Sequence, residues 1–169
     1  MKRILSLLTL LIIVTSCQQD DTKNILENDT PKNEILKITE ASFFNFNEGK
    51  KMNLTLGDIK LNWEKQILEE DKLKVDLSKF ELIKTYDADT NKHLYFLKAE
   101  DEGGQISTGS FLIKDLNSFN FEVKGKTCTC EGCPNGCSLT VFGTTCRCSP
   151  CNPRSSKCTK KESQVIEIM

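Results

Sequence analysis

Eight cysteines fall between Cys128 and Cys158, in the spacing C-x-C-x2-C-x3-C-x8-C-x-C-x2-C-x6-C. The pattern contains a repeat. Cys128, Cys130 and Cys133 recur eighteen residues later as Cys146, Cys148 and Cys151, each trio spaced C-x-C-x-x-C, and Cys137 and Cys158 close the two halves. Between the halves, Leu139, Val141 and Phe142 mark a hairpin strand, which suggests that the flanking C-x-C pairs also lie on strands. Residues i and i+2 of a strand share a face, so each C-x-C would present both sulfurs to one side. Few other large apolar side chains occur here, too few to fold the segment about a core of its own.

Three chemistries suit such a segment, and the compartment decides among them. In an oxidising compartment the eight thiols become covalent staples, each stabilising by about 2–4 kcal/mol through restriction of the unfolded chain. Eight cysteines allow on the order of a hundred pairings, which spacing alone does not resolve. Alternatively, C-x-C and C-x-x-C spacings suit Zn²⁺ or Cu⁺, and two four-thiolate sites would use the same eight residues. A thiol–disulfide oxidoreductase would use Cys130-Glu-Gly-Cys133 or Cys148-Ser-Pro-Cys151. That chemistry needs a low-pKa cysteine at a helix N-terminus, whereas these flanks are rich in turn-forming Gly, Pro and Asn.

The start of the chain addresses the compartment. Lys2 and Arg3 precede an apolar run, Ile4 to Val14, which ends in Thr15, Ser16 and Cys17. A charged start, a short apolar stretch and small residues before a cleavage point form a secretory signal. The run is well short of the roughly 20 residues that span a bilayer. Val14-Thr15-Ser16-Cys17 resembles a bacterial lipobox. The resemblance implies a diacylglyceryl group on the Cys17 thiol, cleavage before it, and acylation of the new amine. Two or three acyl chains hold a protein to a membrane where one gives only marginal binding. The Gln18-Gln19-Asp20-Asp21 stretch is similar to the surface-export signal of Bacteroidetes lipoproteins, and Gln18 is not the Asp that retains many lipoproteins at an inner membrane. The resemblance therefore implies an outer-membrane protein, lipid-anchored at Cys17, with cell-surface display as the further step. A cysteine-rich tail closed by a short strand also resembles uncharacterised Bacteroidetes surface lipoproteins, and implies no activity.

The domain plan follows: residues 1–16 as the signal peptide, 17–33 as an acylated tether, 34–123 as a β-rich domain, and 124–169 as a Cys-rich module with a terminal strand over Ser163 to Met169. The tether is polar and buries too little to order itself. Within the β-rich domain, alternation at Leu54 and Leu56, at Ile59, Leu61 and Trp63, at Leu73, Val75 and Leu77, and at Phe119, Phe121 and Val123 reads as half-buried strands, as do His93–Leu97 and Ile106–Ile113. Turns are legible at 87–91, 100–104 and 115–118. Short links favour antiparallel pairing. The expected fold is mainly β, an antiparallel meander of five to seven strands from about 53 to 123, with one buried face carrying Trp63, Phe80, Phe96, Phe111 and Phe119 or Phe121. Residues 35–47 read as a short helix or an irregular edge, and Trp63 to Asp71 as a helical turn or two.

Functional signals in this middle stretch are few. His93 is the single histidine of the chain, and beside Leu94-Tyr95 in a strand it reads as a surface or packed ring. Asp87, Asp89 and Asn91 begin like a calcium loop but lack the Gly and Glu that such a loop requires. Removal of Lys2 and Arg3 with the signal takes the net charge from −1 to −3. Seven basic against three acidic residues from Lys124 onward make that region +4 and leave 18–123 at −7. No aromatics interleave with the basic residues, so no nucleic-acid platform is expected. The reading is a non-enzymatic binding or structural protein of the envelope, without a cofactor beyond its covalent lipid. Its expected partners are the membrane and an envelope protein or polysaccharide. Asn135, Arg147 and Arg154 are the candidate contact residues.

Overall fold

A computed structural model describes residues 33–151 and 157–164. Strands β1 (Glu34–Leu36), β2 (Ser42–Asn47) and β3 (Lys50–Leu54) come first, then helix α1 (Leu56–Asp71). Strands β4 (Leu77–Asp87), β5 (Lys92–Asp101), β6 (Ser107–Lys114) and β7 (Asn120–Glu131) follow, then β8 (Leu139–Phe142), β9 (Thr145–Cys148) and β10 (Thr159–Gln164). The main sheet has the order β1-β4-β5-β6-β7-β2-β3, with β10 also on β7, and β8 and β9 form a separate hairpin. The fold is mainly β and largely antiparallel, and β4 to β7 form a meander joined by the expected turns, of four strands from Leu77 to Glu131 where five to seven from about 53 to 123 were expected, because 56–71 is helix and β7 runs on into the Cys-rich segment. Among the described residues the one parallel pairing runs from Ser42 opposite Asn120 to Phe44 opposite Glu122.

Strand β7 carries two neighbours on one edge. Its first residues pair with β2, and Lys126 to Glu131 pair antiparallel with β10. Between these stretches the register with β6 slips, so that Lys124–Lys126 bulge opposite Phe111. Gly125 supplies the turn with φ of 129°, a conformation that side chains rarely adopt.

Two local expectations are corrected. Residues 35–47 form β1 and β2 around a single 3₁₀ turn at Ile38–Glu40, because β4 and β7 offer them open edges. The alternation at Ile59, Leu61 and Trp63 is not a strand but part of a sixteen-residue helix. Ile59, Trp63 and Ile67 repeat every four positions and are buried, while Leu61 is 66% exposed. Thr55 caps the helix: its hydroxyl accepts from the Asp58 N–H at 3.1 Å, and the Asp58 carboxylate accepts from the Thr55 N–H at 2.8 Å. The Thr55 hydroxyl and N–H hold the Asp58 carboxyl below its usual range. Residues 72–76, where Leu73 and Val75 suggested a strand, link the helix to β4 without regular structure.

The sheet is covered on both faces. On one, Ile59, Trp63 and Ile67 of α1 pack against Phe43, Leu82, Leu97, Leu112, Phe121 and Val123. On the other, Ile83, Phe96 and Phe111 pack against Leu139, Val141 and the buried cysteines. Phe96 and Phe111 therefore do not share a core with Trp63, Phe80, Phe119 and Phe121, as the single buried face expected from sequence would require. Tyr95 and Phe96 are adjacent on β5 and must point to opposite faces. The Phe96 ring covers Gly109, where a Cβ would come within 2.3 Å of it.

Candidate functional site

The second face is the feature that most distinguishes this molecule. Strand β7 presents Cys128 and Cys130 to that side, opposite Gly109 and Ser107 of β6. The chain then turns through 132–138 and runs back across the sheet as β8, so Leu139 and Val141 are almost fully buried. Leu139 N–H donates to the Ser107 hydroxyl at 3.3 Å. Gly136 touches the β5–β6 turn so closely that a Cβ would meet the Gly104 carbonyl at 2.1 Å, and Gln105 Nε2 donates to the Pro134 carbonyl at 3.3 Å. Strand β9 returns beside β8, with Leu139 opposite Cys148 and Val141 opposite Cys146.

This crossing puts the two halves of the cysteine repeat in contact. The bridges are Cys128–Cys146, Cys130–Cys148, Cys133–Cys151 and Cys137–Cys158, with Cα separations of 6.6, 5.6, 5.3 and 6.0 Å. Each links a cysteine to its counterpart in the other half, so the first three share a sequence separation of 18. Both C-x-C pairs lie on strands, as their spacing suggested. Neither C-x-x-C closes on itself: Cys130 and Cys133 pair with Cys148 and Cys151 across the halves.

The bridges are packed together. The Cys137 and Cys133 sulfurs lie 3.0 Å apart. Ligand atoms of Cys133, Cys137 and Cys151 fall within 4.8 Å of one another, as do those of Cys130, Cys148 and Cys158, and those of Cys128, Cys146 and Glu162. Six of the eight cysteines are buried. Disulfide sulfurs are poor metal donors, since the thiolate is the ligand. A Zn²⁺ or Cu⁺ ion would be held by these residues after reduction of the bridges.

Strand β10 locks the layer to the helix side. Lys161 pairs with Glu131 at 2.6 Å and with the buried Asp71 at the end of α1. Asp71 first, then Glu131, hold the Lys161 ammonium above its usual range. Gln66 Nε2 donates to the Gln164 carbonyl at 2.9 Å. The expected terminal strand thus begins earlier, at Thr159, and 165–169 lie outside the described residues.

The remaining candidates are scattered. His93 is exposed, its ring edge-on to Tyr86 at 5.6 Å. Asp87 is buried and accepts from the Asp89 N–H at 3.3 Å and from the Thr90 hydroxyl. This is a turn held by its own carboxylate, as the incomplete calcium pattern implied. The Arg147 guanidinium lies 5.2 Å from the Phe142 ring centre. Asn135 sits in the loop before β8. Arg154 and the lipidation candidate Cys17 lie outside the described residues. Sequence reasoning missed Lys98, which is buried beneath the cysteine layer and paired with Glu100 at 2.7 Å and Glu81 at 3.5 Å. A lysine in an alternating strand gives no sign of what will cover it.

No helix among the described residues is long and apolar enough to cross a membrane. Among curated proteins and among solved structures, none matches the chain. Residues 1–18 match the family described as prokaryotic membrane lipoprotein lipid attachment site, so the chain carries the attachment signal of a bacterial lipoprotein, held to a membrane of the envelope through lipid.

Proposed function

We propose that this lipoprotein has a non-enzymatic role, binding or structural, at the outer membrane and the cell surface, with an envelope protein or polysaccharide as its partner. The single observation that carries this reading is the consumption of all eight module cysteines in four bridges between counterpart positions. An exported chain meets oxidising surroundings, and here oxidation yields a rigid cover over one sheet face. The loop at its far end, 132–138, is then displayed on a stiff support, which is where binding groups usually reside. The Gln18-Gln19-Asp20-Asp21 stretch after Cys17 supports surface placement through its likeness to an export signal.

Intact mass of the purified exported protein tests the reading. Eight hydrogens fewer than the fully reduced chain, with no bound zinc or copper, is the expected result. Alkylation of eight thiols after gentle chelation would instead carry the second reading, a zinc- or copper-thiolate module, which the clustering of three buried sulfurs at Cys133, Cys137 and Cys151 favours. A mixed disulfide trapped with another protein by Cys133→Ser or Cys151→Ser would point to thiol–disulfide exchange. Labelling with radioactive palmitate, lost in Cys17→Ser, tests the anchor.

A further inference from the structure

We infer that the end of the sheet at which the anchored chain enters is itself a membrane-docking surface, with Leu116 as the side chain that enters the bilayer. The inference rests on the lipid anchor and adds an orientation to it.

Topology sets which end this is. Strand β1 runs antiparallel to β4, with Glu34 opposite Lys84 and Leu36 opposite Leu82. The chain before Asn33 therefore reaches the sheet from the Asp87 end. The same end holds the β4–β5 turn, the β6–β7 turn at 115–119 and the tip of the β8–β9 hairpin, where Gly143 approaches the Asp87 carboxylate. Asn33 Nδ2 donates to the Val141 carbonyl at 3.3 Å, which ties the entering chain to that hairpin.

The two ends differ in what they expose. At the entry end, Leu116 is 93% exposed at the tip of a turn, Ile113 is 52% exposed below it, and Phe142 and Tyr86 are partly exposed nearby. An open groove runs from Tyr95 past Ile113 to Leu116. Leu116 has no counterpart at the opposite end, where the turns 102–105 and 132–138 expose no large apolar side chain and Leu73, in the link to β4, is 39% exposed. An apolar turn tip in water loses free energy that burial in acyl chains recovers, and aromatic side chains with polar groups suit the interface beneath it.

Charge and tether length name the occupant. Lys92 and Lys114 at this end stand against Asp87, Asp89 and Asp115, so the surface has no positive excess to steer a polyanion. Apolar insertion remains, and it does not depend on anionic lipid or low salt. Between Cys17 and Asn33 lie residues 17–32, whose covalent reach is at most roughly 55 Å. The bilayer is thus always within range, and a tethered surface needs little intrinsic affinity because its effective concentration at the membrane is high.

The test uses the full lipidated chain in phosphatidylcholine vesicles, with and without bromine on the acyl chains. Leu116→Trp and Gln105→Trp place a reporter at the two ends, and the buried Trp63 contributes the same background to both. Flotation with the vesicles reports the anchor separately. The expected result is emission from Leu116→Trp that shifts to the blue and is quenched by brominated lipid at low and high salt, with Gln105→Trp unchanged. Floating protein whose Leu116→Trp is not quenched, or is quenched no more than Gln105→Trp, overturns the docking surface while leaving the anchor intact. Failure to float overturns the anchor and the orientation together.

Discussion

One sheet, two covers: the helix side and the cysteine side of this molecule bury the same strands by different means. On the helix side, α1 brings Ile59, Trp63 and Ile67 onto a continuous apolar surface, and one capped helix suffices. On the cysteine side, β8 and β9 bring only Leu139 and Val141, so four bridges hold what two apolar side chains cannot. The hydrophobic cover is carried by contacts in the folded state. The covalent cover works largely by limiting the unfolded chain. Its strength therefore depends on the redox state of the surroundings, and the helix side is indifferent to it.

Reduction should separate the two covers by the largest effect. With sequence separations of 18 for three bridges and 21 for the fourth, each contributes about 3 kcal/mol by loop closure, though overlapping loops do not add. Reduction without denaturant is expected to bring amides of 139–148 to near-unprotected hydrogen exchange while 59–67 of the helix remain protected. Loss of protection in both at the same rate would show that the two covers are one cooperative unit. Trp63→Ala attacks the other side, emptying the largest buried side chain there at a cost of about 3–5 kcal/mol in denaturant unfolding. That loss should be the same size in oxidised and reduced protein if the covers are independent.

Smaller effects sharpen the boundary between them. Gly109→Ala puts a methyl into the Phe96 ring beneath the cysteine layer, and should cost about 1–3 kcal/mol. The share due to the Phe96 ring should shrink when the bridges are reduced and the layer is free to lift, while the clash with the Leu97 carbonyl, 2.5 Å from the new methyl, should remain. Thr55→Ala removes the helix cap for about 1 kcal/mol and should leave exchange at 139–148 unchanged. The cap also has a pH signature. Asp58 is held below its ordinary value, so its contribution is present above that value and is lost as pH falls through the lowered one. Thermal unfolding of the wild type and Asp58→Asn should converge in acid.

Much of this was legible beforehand, and the failures have physical causes. The apolar run His93–Leu97, the β-rich run Ile106–Ile113 and the alternation at Phe119, Phe121 and Val123, separated by turn residues at 87–91, 100–104 and 115–118, described the meander, although β5 and β6, covered on both faces, are buried in continuous runs and do not alternate. Ile59, Leu61 and Trp63 misled, since every second residue apolar fits three positions of a strand as well as two turns of a helix. The exposed Leu61 was the distractor, and Thr55 with Asp58 was the signal that separated the readings. The C-x-C pairs were correctly placed on strands, and the repeat was visible, but its partners were not.

Export under a lipid-attachment signal, a mostly strand fold and a C-terminal segment that needs help to fold can all be read from the order of residues. Those follow from composition, from period-two patterning and from the count of cysteines. Which cysteine meets which, which aromatic lies on which face, and that β10 fills the edge of β7 beside β2 emerge only in the folded chain. Pairing and burial are set by distances between residues remote in the chain, which local pattern does not encode. Periodicity says which side chains share a face, while topology alone says what covers it.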